Sequence, residues 1–469
     1  MLSLLDCFAG AGGSSWGAVE TRKISVKMAI NHDATAIATH QENLPSVNHD
    51  IADVFQVNPK RYPKTDLAWF SPCCEGFTHA SGVKNTDTTA YQPELFDTLE
   101  YSLLSQKAKE EYRHKQILLA QKRLTVEEVY KFVETHRYLA FIVENVIELT
   151  RWKKYNSWLL SFQNIGYNYK EISLNSSVVQ SSVRPNHQSR DRLFICFWQS
   201  QLKTPLLEIS PAAFCPECDS TVAGKQTWKK GQRIGKLNFQ YHYSCPNCLN
   251  PVNPHTRAVA EILDWSLPCP TIGSRVGTSK QLKPNTLERI KKGIEKFGNV
   301  PFLTELYGKS SARSINKPIG SITTSGAHHA LVVPSPFLLY YYSRDNAIGS
   351  INKPVNAVTT CPRHALVIPP GFICQYNSKS IGQSIKEPLH AVTTKDRFAL
   401  LATPQDIDKI GKLNEWGFRM LTPTELALAQ NFPTQYKFLG NKAQILRQIG
   451  GAVPPGVAQI ILTALAEIC

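Results

Sequence analysis

Residues 2–17 read LSLLDCFAGAGGSSWG, an apolar strand-forming run that breaks into a glycine turn and then a helical pattern. Glycines at such a turn let the backbone approach a ligand closely at the helix N-terminus, which is how nucleotide-like groups are held in α/β sheets. The same turn also serves a chain that needs only a tight corner. The alternation continues downstream. VKMAI is strand-like, ATAIATHQENL helical, and LTVEEVYKFVETHR reads as a helix feeding the strand LAFIVENV. Short apolar runs separated by helical patterns mark βαβ units, so residues 1–199 are expected to form a mostly parallel, doubly wound α/β sheet. Between Lys84 and Arg123 a polar insertion containing QKAKEEYRHKQ is expected to be a mobile loop or a helical flap.

From about residue 200 the texture changes to prolines, glycines, paired cysteines and short β-like runs. FCPEC (214–218) and SCPNC (244–248) are two Cys-x-x-Cys knuckles separated by 26 residues. Cys215, Cys218, Cys245 and Cys248 therefore fit a closed tetrahedral zinc site, structural in kind because four thiolates leave no open position. The intervening TWKKGQRIGKLNFQYHY interleaves basic and aromatic residues, as either a DNA-contacting element or a solvated hairpin would. Residues 313–403 hold three imperfect copies of one unit, with Ile315, Ile351 and Ile385 marking a spacing of 36 and then 34 residues. Each copy runs from a Lys/Glu-Pro turn through a Thr-Thr strand and a basic tip to an Ala-Leu strand, a repeated β-hairpin. Arg363 and Arg397, at two of the tips, are candidate readers of DNA; packed hairpins with solvated tips are the alternative.

Lys and Arg total 52 against 37 Asp and Glu, a net charge of +15 that favours polyanionic partners, nucleic acid first. No run approaches the ~20 apolar residues of a membrane span, and the N-terminal residues lack a signal-peptide pattern. A cytoplasmic protein is expected, with its 12 cysteines as thiols, ligands or nucleophiles rather than disulfides.

SPCCEGFTHASG (71–82) follows a strand-forming run and places Cys73 beside Cys74. A nucleophile, a metal pair and simple burial are all open to these residues, although only His79 lies nearby as a further ligand. Asp33 and Asp50 sit near the ends of the second and third strand-like segments, where acids can accept from ribose hydroxyls or an adenine amino group.

Taken in order, DCFAGAGG, HDI, SPCCEGFT, IVENV, NHQSRDRLFI, RMLTPTELALAQNFP and QIGGAVPP resemble the motifs of the cytosine-5 DNA methyltransferase family. The resemblance covers residues 1–199 and about 416–469, and it leaves the central segment where the family keeps its target-recognition region. It implies a Rossmann-like methyltransferase sheet (1–199 and 412–469) that binds S-adenosylmethionine. It also implies a smaller β-rich domain at 200–411, containing a zinc ribbon at 213–250 and the hairpins. Aligned on Gly76-Phe77-Thr78, the nucleophile is Cys74, which would add to carbon 6 of a flipped cytosine. Glu144 would protonate the ring nitrogen, Asn145 would support the cysteine loop, and Arg190 would hold the cytosine carbonyl, with Arg192 the alternative or a buried structural partner. Cofactor contacts would come from Phe8, Ala9, Gly10, Gly12, Gly13, Asn31, Asp33, Asp50, Ile51 and Val453, and DNA contacts from Thr78, Ser81 and Gln188. Asn31 replaces the family's usual Glu, and Gly450-Gly451 replaces Gly-Asn. The resemblance further implies a monomer acting on double-stranded DNA, with a cognate restriction endonuclease as a candidate partner. An RNA cytosine methyltransferase or a catalytically silent DNA-binding paralogue would share most of these motifs.

Overall fold

A computed structural model describes residues 1–74, 77, 105–179, 184–257, 259–262, 264, 275–281, 284 and 422–469, with the backbone of eight short strands between 302 and 402. The chain divides into two compact units. The first comprises 1–186, 190–255 and 430–469, and the second 187–189 and 256–429.

The first unit is built on a seven-stranded sheet. Its strands are β1 (Leu2–Cys7), β2 (Ile24–Asn31), β3 (Asn48–Ile51), β4 (Leu67–Phe70), β5 (Ala140–Asn145), β6 (Tyr167–Asn175) and β7 (Asp191–Gln199). Their order is β3-β2-β1-β4-β5-β7-β6. The first five run parallel, and β7 is antiparallel to both of its neighbours. Helices α1 (Gly13–Glu20), α2 (Ala34–Asn43), α3 (Gln106–His136) and α4 (Tyr155–Asn164) connect them. The segment QKAKEEYRHKQ has helical backbone as the first part of α3.

The apolar residues of the central strands divide by the period of two that a pleated strand imposes. Leu4, Trp69, Ile142, Phe194 and Cys196 face one core. Leu5, Phe70, Phe141, Val143, Leu193, Ile195 and Phe197 face the other. A sheet covered on both faces therefore reads as continuous apolar sequence.

Two C-terminal helices follow, α5 (Lys442–Gly451) and α6 (Pro455–Ala466), and α6 completes the first core through Val457, Ala458, Ile461, Leu462 and Leu465. Residues 442–466 have the length and hydropathy of a membrane span, but 72% of the segment's most apolar window is buried in the fold. The break between the helices is also where the chain crosses α1. A Cβ on Gly13 would lie 2.0 Å from the Val453 carbonyl oxygen, and one on Gly17 would lie 2.4 Å from that of Pro455. Only glycine permits this contact, and so the last helix seals the side of the sheet that the first helix opens.

Residues 212–254 form a separate five-stranded antiparallel sheet: β8 (Ala212–Cys215), β9 (Ser220–Ala223), β10 (Lys225–Trp228), β11 (Tyr241–Ser244) and β12 (Pro251–Pro254). Its Ala213, Cys215, Tyr241, Tyr243 and Val252 belong to the same core as Leu4 and Trp69. The boundary of the first unit thus falls after residue 255, not at 199, because this module shares the large sheet's core. Within the second unit the Ala-Leu segments of all three repeats are strands, at His329–Val332, His364–Val367 and Phe398–Ala402. The Thr-Thr segments and the tips at Arg363 and Arg397 lie outside the described residues.

Asp6, near the end of β1, is fully buried and accepts 2.6 Å hydrogen bonds from Ser14 Oγ and Ser15 Oγ in the first turn of α1. Burial pushes its carboxyl up to about 6, against the pull of the two serines. The folded value exceeds the ~3.9 of an unfolded aspartate, so the folded chain binds the extra proton between about pH 4 and 6. The cost of the buried charge is present in full at pH 7, shrinks as the pH falls below about 6 and is gone near 4. Asp6→Asn should therefore be stabilised relative to the parent at pH 7, by on the order of 2–3 kcal/mol at most. Urea unfolding at pH 7, 6 and 4.5 should show that advantage shrinking as the pH is lowered.

Candidate active site

The chain runs outward from β1 through β2 to β3 and then returns to β4 on the other side of β1. That reversal puts a crevice at the carboxyl ends of β1 and β4, where open α/β sheets bind their ligands. Two of the distinctive stretches start there. The glycine turn leaves β1 at Cys7, and Ser71-Pro72-Cys73-Cys74 leaves β4 at Phe70. The cysteine loop is tied down at several points. Ser71 N donates to Cys7 O at 3.2 Å, Cys73 N to Thr125 Oγ1 at 3.1 Å, and Phe77 N to Cys74 O at 3.0 Å. Asn145 Nδ2 donates to Pro72 O at 3.1 Å, the support expected of it. Cys74 is half-buried against the core that contains Phe70 and Val143.

The neighbouring strands add charge. Glu144 near the end of β5 and Arg192 at the start of β7 form an ion pair at 2.9 Å, with side chains only 9% and 10% exposed. The approach lies off the line of the Nε–H bond, so the contact is electrostatic more than a directed hydrogen bond. Arg192 Nη1 also donates to Asp191 O at 3.0 Å. Arg190 is placed differently. Its Nη1 donates to Gly450 O at 3.1 Å and Ala452 O at 2.9 Å, fastening the returning C-terminal segment to β7. Arg192 thus sits on the carboxylate and Arg190 on the backbone of the returning segment. Gln188 is buried in the second unit.

On the other side of β1 the turn is shaped for a ligand. Phe8, Gly10 and Gly12 all have positive φ, at 62°, 54° and 90°. A Cβ on Gly12 would lie 2.8 Å from His40 Cδ2 and 2.9 Å from the Tyr436 hydroxyl, which itself donates to Ala11 O. Beside Gly10 there is open space. Asn31 is buried, and its Oδ1 accepts from Asp33 N at 2.8 Å. Asp33 Oδ1 accepts from Thr35 N and Ala36 N and so caps α2. Asp50 Oδ2 accepts from the Tyr62 hydroxyl and pairs with Arg61, each at 2.9 Å. Ile51, at the end of β3, is 57% exposed, an apolar side chain with no place in either core. Ala9 and Val453 are buried, and Gln430 Nε2 donates to Ala452 O at 2.6 Å. Backbone contacts of this kind hold the 450–453 segment even though Gly451 has no amide side chain.

The four knuckle cysteines converge. All four Sγ atoms lie within 4.8 Å of one another, with Cys215–Cys248 at 3.4 Å and Cys218–Cys245 at 3.8 Å. Sulfurs at ~2.3 Å from a tetrahedral zinc stand about 3.8 Å apart, so the donor set suits that ion. Backbone amides of Cys248 and Asn247 lower the Cys245 thiol, whereas burial raises that of Cys215 and contacts with the facing thiols raise that of Cys218.

Three polar groups at this edge carried no individual signal in the sequence. Glu148 lies in the 3-10 turn after β5, Asp191 at the start of β7 and Lys236 in the four-cysteine module. Lys236 Nζ meets Glu148 Oε1 at 2.6 Å across 88 residues of chain, a separation no local pattern encodes. Thr78 and Ser81 lie outside the described residues.

The C-5 cytosine-specific DNA methylase family profile matches residues 2–102 and 111–467. The Type II methyltransferase M.BbvI of Brevibacillus brevis is 51% identical over 49 residues, 10% of this chain. M1.HphI of Haemophilus parahaemolyticus is 46% identical over 50 residues, 11% of this chain. Each aligned segment spans only 13% of the relative's length. Among solved structures, a DNMT2 mutant of Spodoptera frugiperda aligns over 99% of both chains with 14% identity and a TM-score of 0.48. The Dnmt2 methyltransferase of S. pombe covers 99% of this chain and 98% of its own, with 11% identity and a TM-score of 0.48. The family profile takes in the glycine turn, the cysteine loop, both charged strands and the returning helices, and the chain belongs to the C-5 cytosine-specific DNA methylases.

Proposed function

We propose that this chain methylates carbon 5 of a flipped cytosine in a specific double-stranded DNA site. The observation that carries the reading is the convergence of Cys74, Glu144 and Arg192 on one sheet edge beside the open glycine turn. Carbon 5 of cytosine is a poor nucleophile until a thiolate adds next to it. Cys74 Sγ would bond to carbon 6 while Glu144 delivers a proton to the ring nitrogen, and the electron pair left on carbon 5 would take the methyl group as that group's bond to its donor sulfur breaks, the ring-nitrogen proton returning to Glu144. Loss of the carbon 5 proton to a solvent base would then expel the thiolate and restore the ring. Arg192 holds Glu144 in place and offers a donor to the cytosine carbonyl, while Arg190 acts through the segment it fastens. S-adenosylmethionine supplies the methyl group when bound. The space beside Gly10, the exposed Ile51 and the amides at the start of α1 suit such a ligand. Thr78, Ser81, Gln188, Arg363 and Arg397 are the proposed DNA contacts. The base must leave the stack to reach Cys74, at a cost of roughly a few kcal/mol that DNA contacts offset.

The four cysteines are proposed to hold one structural zinc. The relatives' designation as Type II methyltransferases fits a cognate nuclease as partner, with the chain acting as a cytoplasmic, nucleoid-associated monomer.

Bisulfite sequencing of DNA from a methylation-free bacterial host expressing the chain should show protected cytosines within one short motif. Absence of protection from soluble protein would remove the reading. Cys74→Ser should lower the rate by about three orders of magnitude or more, whereas Cys73→Ser should stay within about threefold of the parent. The reverse pattern would move the nucleophile to Cys73. Metal analysis of purified protein should find about one zinc per chain, falling to near zero in Cys215→Ser/Cys248→Ser, with a lower unfolding temperature.

A further inference from the structure

The four-cysteine module meets the active edge along Ile234-Gly235-Lys236-Leu237, with Gln226 Nε2 donating to Ser173 O at 2.9 Å beside it. Ile234 packs on the core that contains Phe70, and Leu237 on the one that contains Trp69. Gly235 N donates to Ser173 Oγ on β6, and Leu237 N to Asp191 Oδ1 on β7, both at 3.0 Å. Lys236 N donates to Gln240 Oε1 at 2.8 Å, and a Cβ on Gly235 would lie 2.2 Å from Gln240 Cβ. The backbone on both sides of Lys236 is therefore fixed before its side chain is considered.

That side chain ends on Glu148, four residues beyond Glu144 and largely buried. Burial alone would push the Glu148 carboxyl up, yet Lys236 holds it below the usual range, and the 3-10 turn that carries Glu148 packs against β7, the strand of Arg192. Arg192 thus stands among three acids: Glu144, Asp191 and Glu148. A buried carboxylate without a cation is costly, and Arg192 is the cation at hand if Lys236 is removed.

We propose that Lys236 is a positioning residue for the methyl-transfer reaction: by neutralising Glu148, it leaves Arg192 to Glu144. The four-cysteine module is then more than an attachment to the sheet, because its fold presents the lysine that sorts the charges at the active edge. The proposal rests on the catalytic reading given above. It differs from a simple brace in one respect, since the lysine matters only as long as Glu148 carries a competing charge.

The test measures steady-state methylation by the full-length protein for Lys236→Met, Lys236→Arg and Lys236→Met/Glu148→Gln. Lys236→Met should lower kcat about tenfold, with KM for S-adenosylmethionine and for DNA within about threefold. Lys236→Arg should stay within about twofold, and the double variant should recover to within about threefold of the parent. A brace predicts no recovery, because the ion pair is absent from the double variant as well. Unchanged kcat in Lys236→Met, or a double variant as impaired as the single, overturns the proposal. If Lys236→Met does not fold, the double variant decides: near-parent kcat supports the proposal and a tenfold loss overturns it. An inactive parent removes the catalytic reading itself, whereas an active parent with unaffected Lys236→Met removes only this one.

Discussion

An ion pair between two nearly buried side chains, Glu144 and Arg192, sets the terms for the edge of the sheet around it. Removing two charges from water costs several kcal/mol each, and their attraction compensates only where the geometry is held and the remaining polar groups are satisfied. The neighbouring contacts do that holding. β5 and β7 are adjacent antiparallel strands, so the two residues meet without a loop between them. Asn145, next to Glu144, donates to Pro72 and couples the cysteine loop to the same strand. Arg190, two residues before Arg192 and separated from it only by Asp191, fastens the returning C-terminal segment.

The four-cysteine module joins this arrangement by sharing a core. Its tyrosines and Val252 pack with residues of β1, β4 and β5, so ordering the module and covering that face of the sheet are one event. With the proposed zinc bound, the four converging thiols would give a small antiparallel sheet of short strands an anchor beyond its own core. The module's position also explains why a basic, aromatic-rich stretch serves as more than a surface: Lys236 and Leu237 are spent on contacts with Glu148 and Asp191.

Much of the fold was legible in the sequence. The apolar runs of β1, β4 and β5 show little polar alternation because both faces are covered, and the helices between them carry the βαβ rhythm. The cysteine knuckles announced by spacing alone that four thiols would converge. Less legible was the extent of the first unit. A change of composition near residue 200 suggested a boundary, but composition reports local texture and not which core a segment joins. The role of Asp33 was equally hidden, since an acid placed for a ribose hydroxyl is also an acid placed to cap α2.

The order of motifs, carried by local backbone needs and by chemistry that tolerates few residue types, determined the family and marked Cys74 and Glu144 as the proposed nucleophile and proton donor. What only the tertiary structure decided is which charges meet. Arg190 lies just before β7 and Arg192 near its start, and nothing local says which reaches Glu144 and which reaches a carbonyl near residue 452. Lys236 and Glu148 are 88 residues apart and become partners only because the module packs on the sheet's edge. Side-chain pairing of this kind depends on distances of a few ångströms between elements remote in sequence, and those distances exist only once the cores have closed.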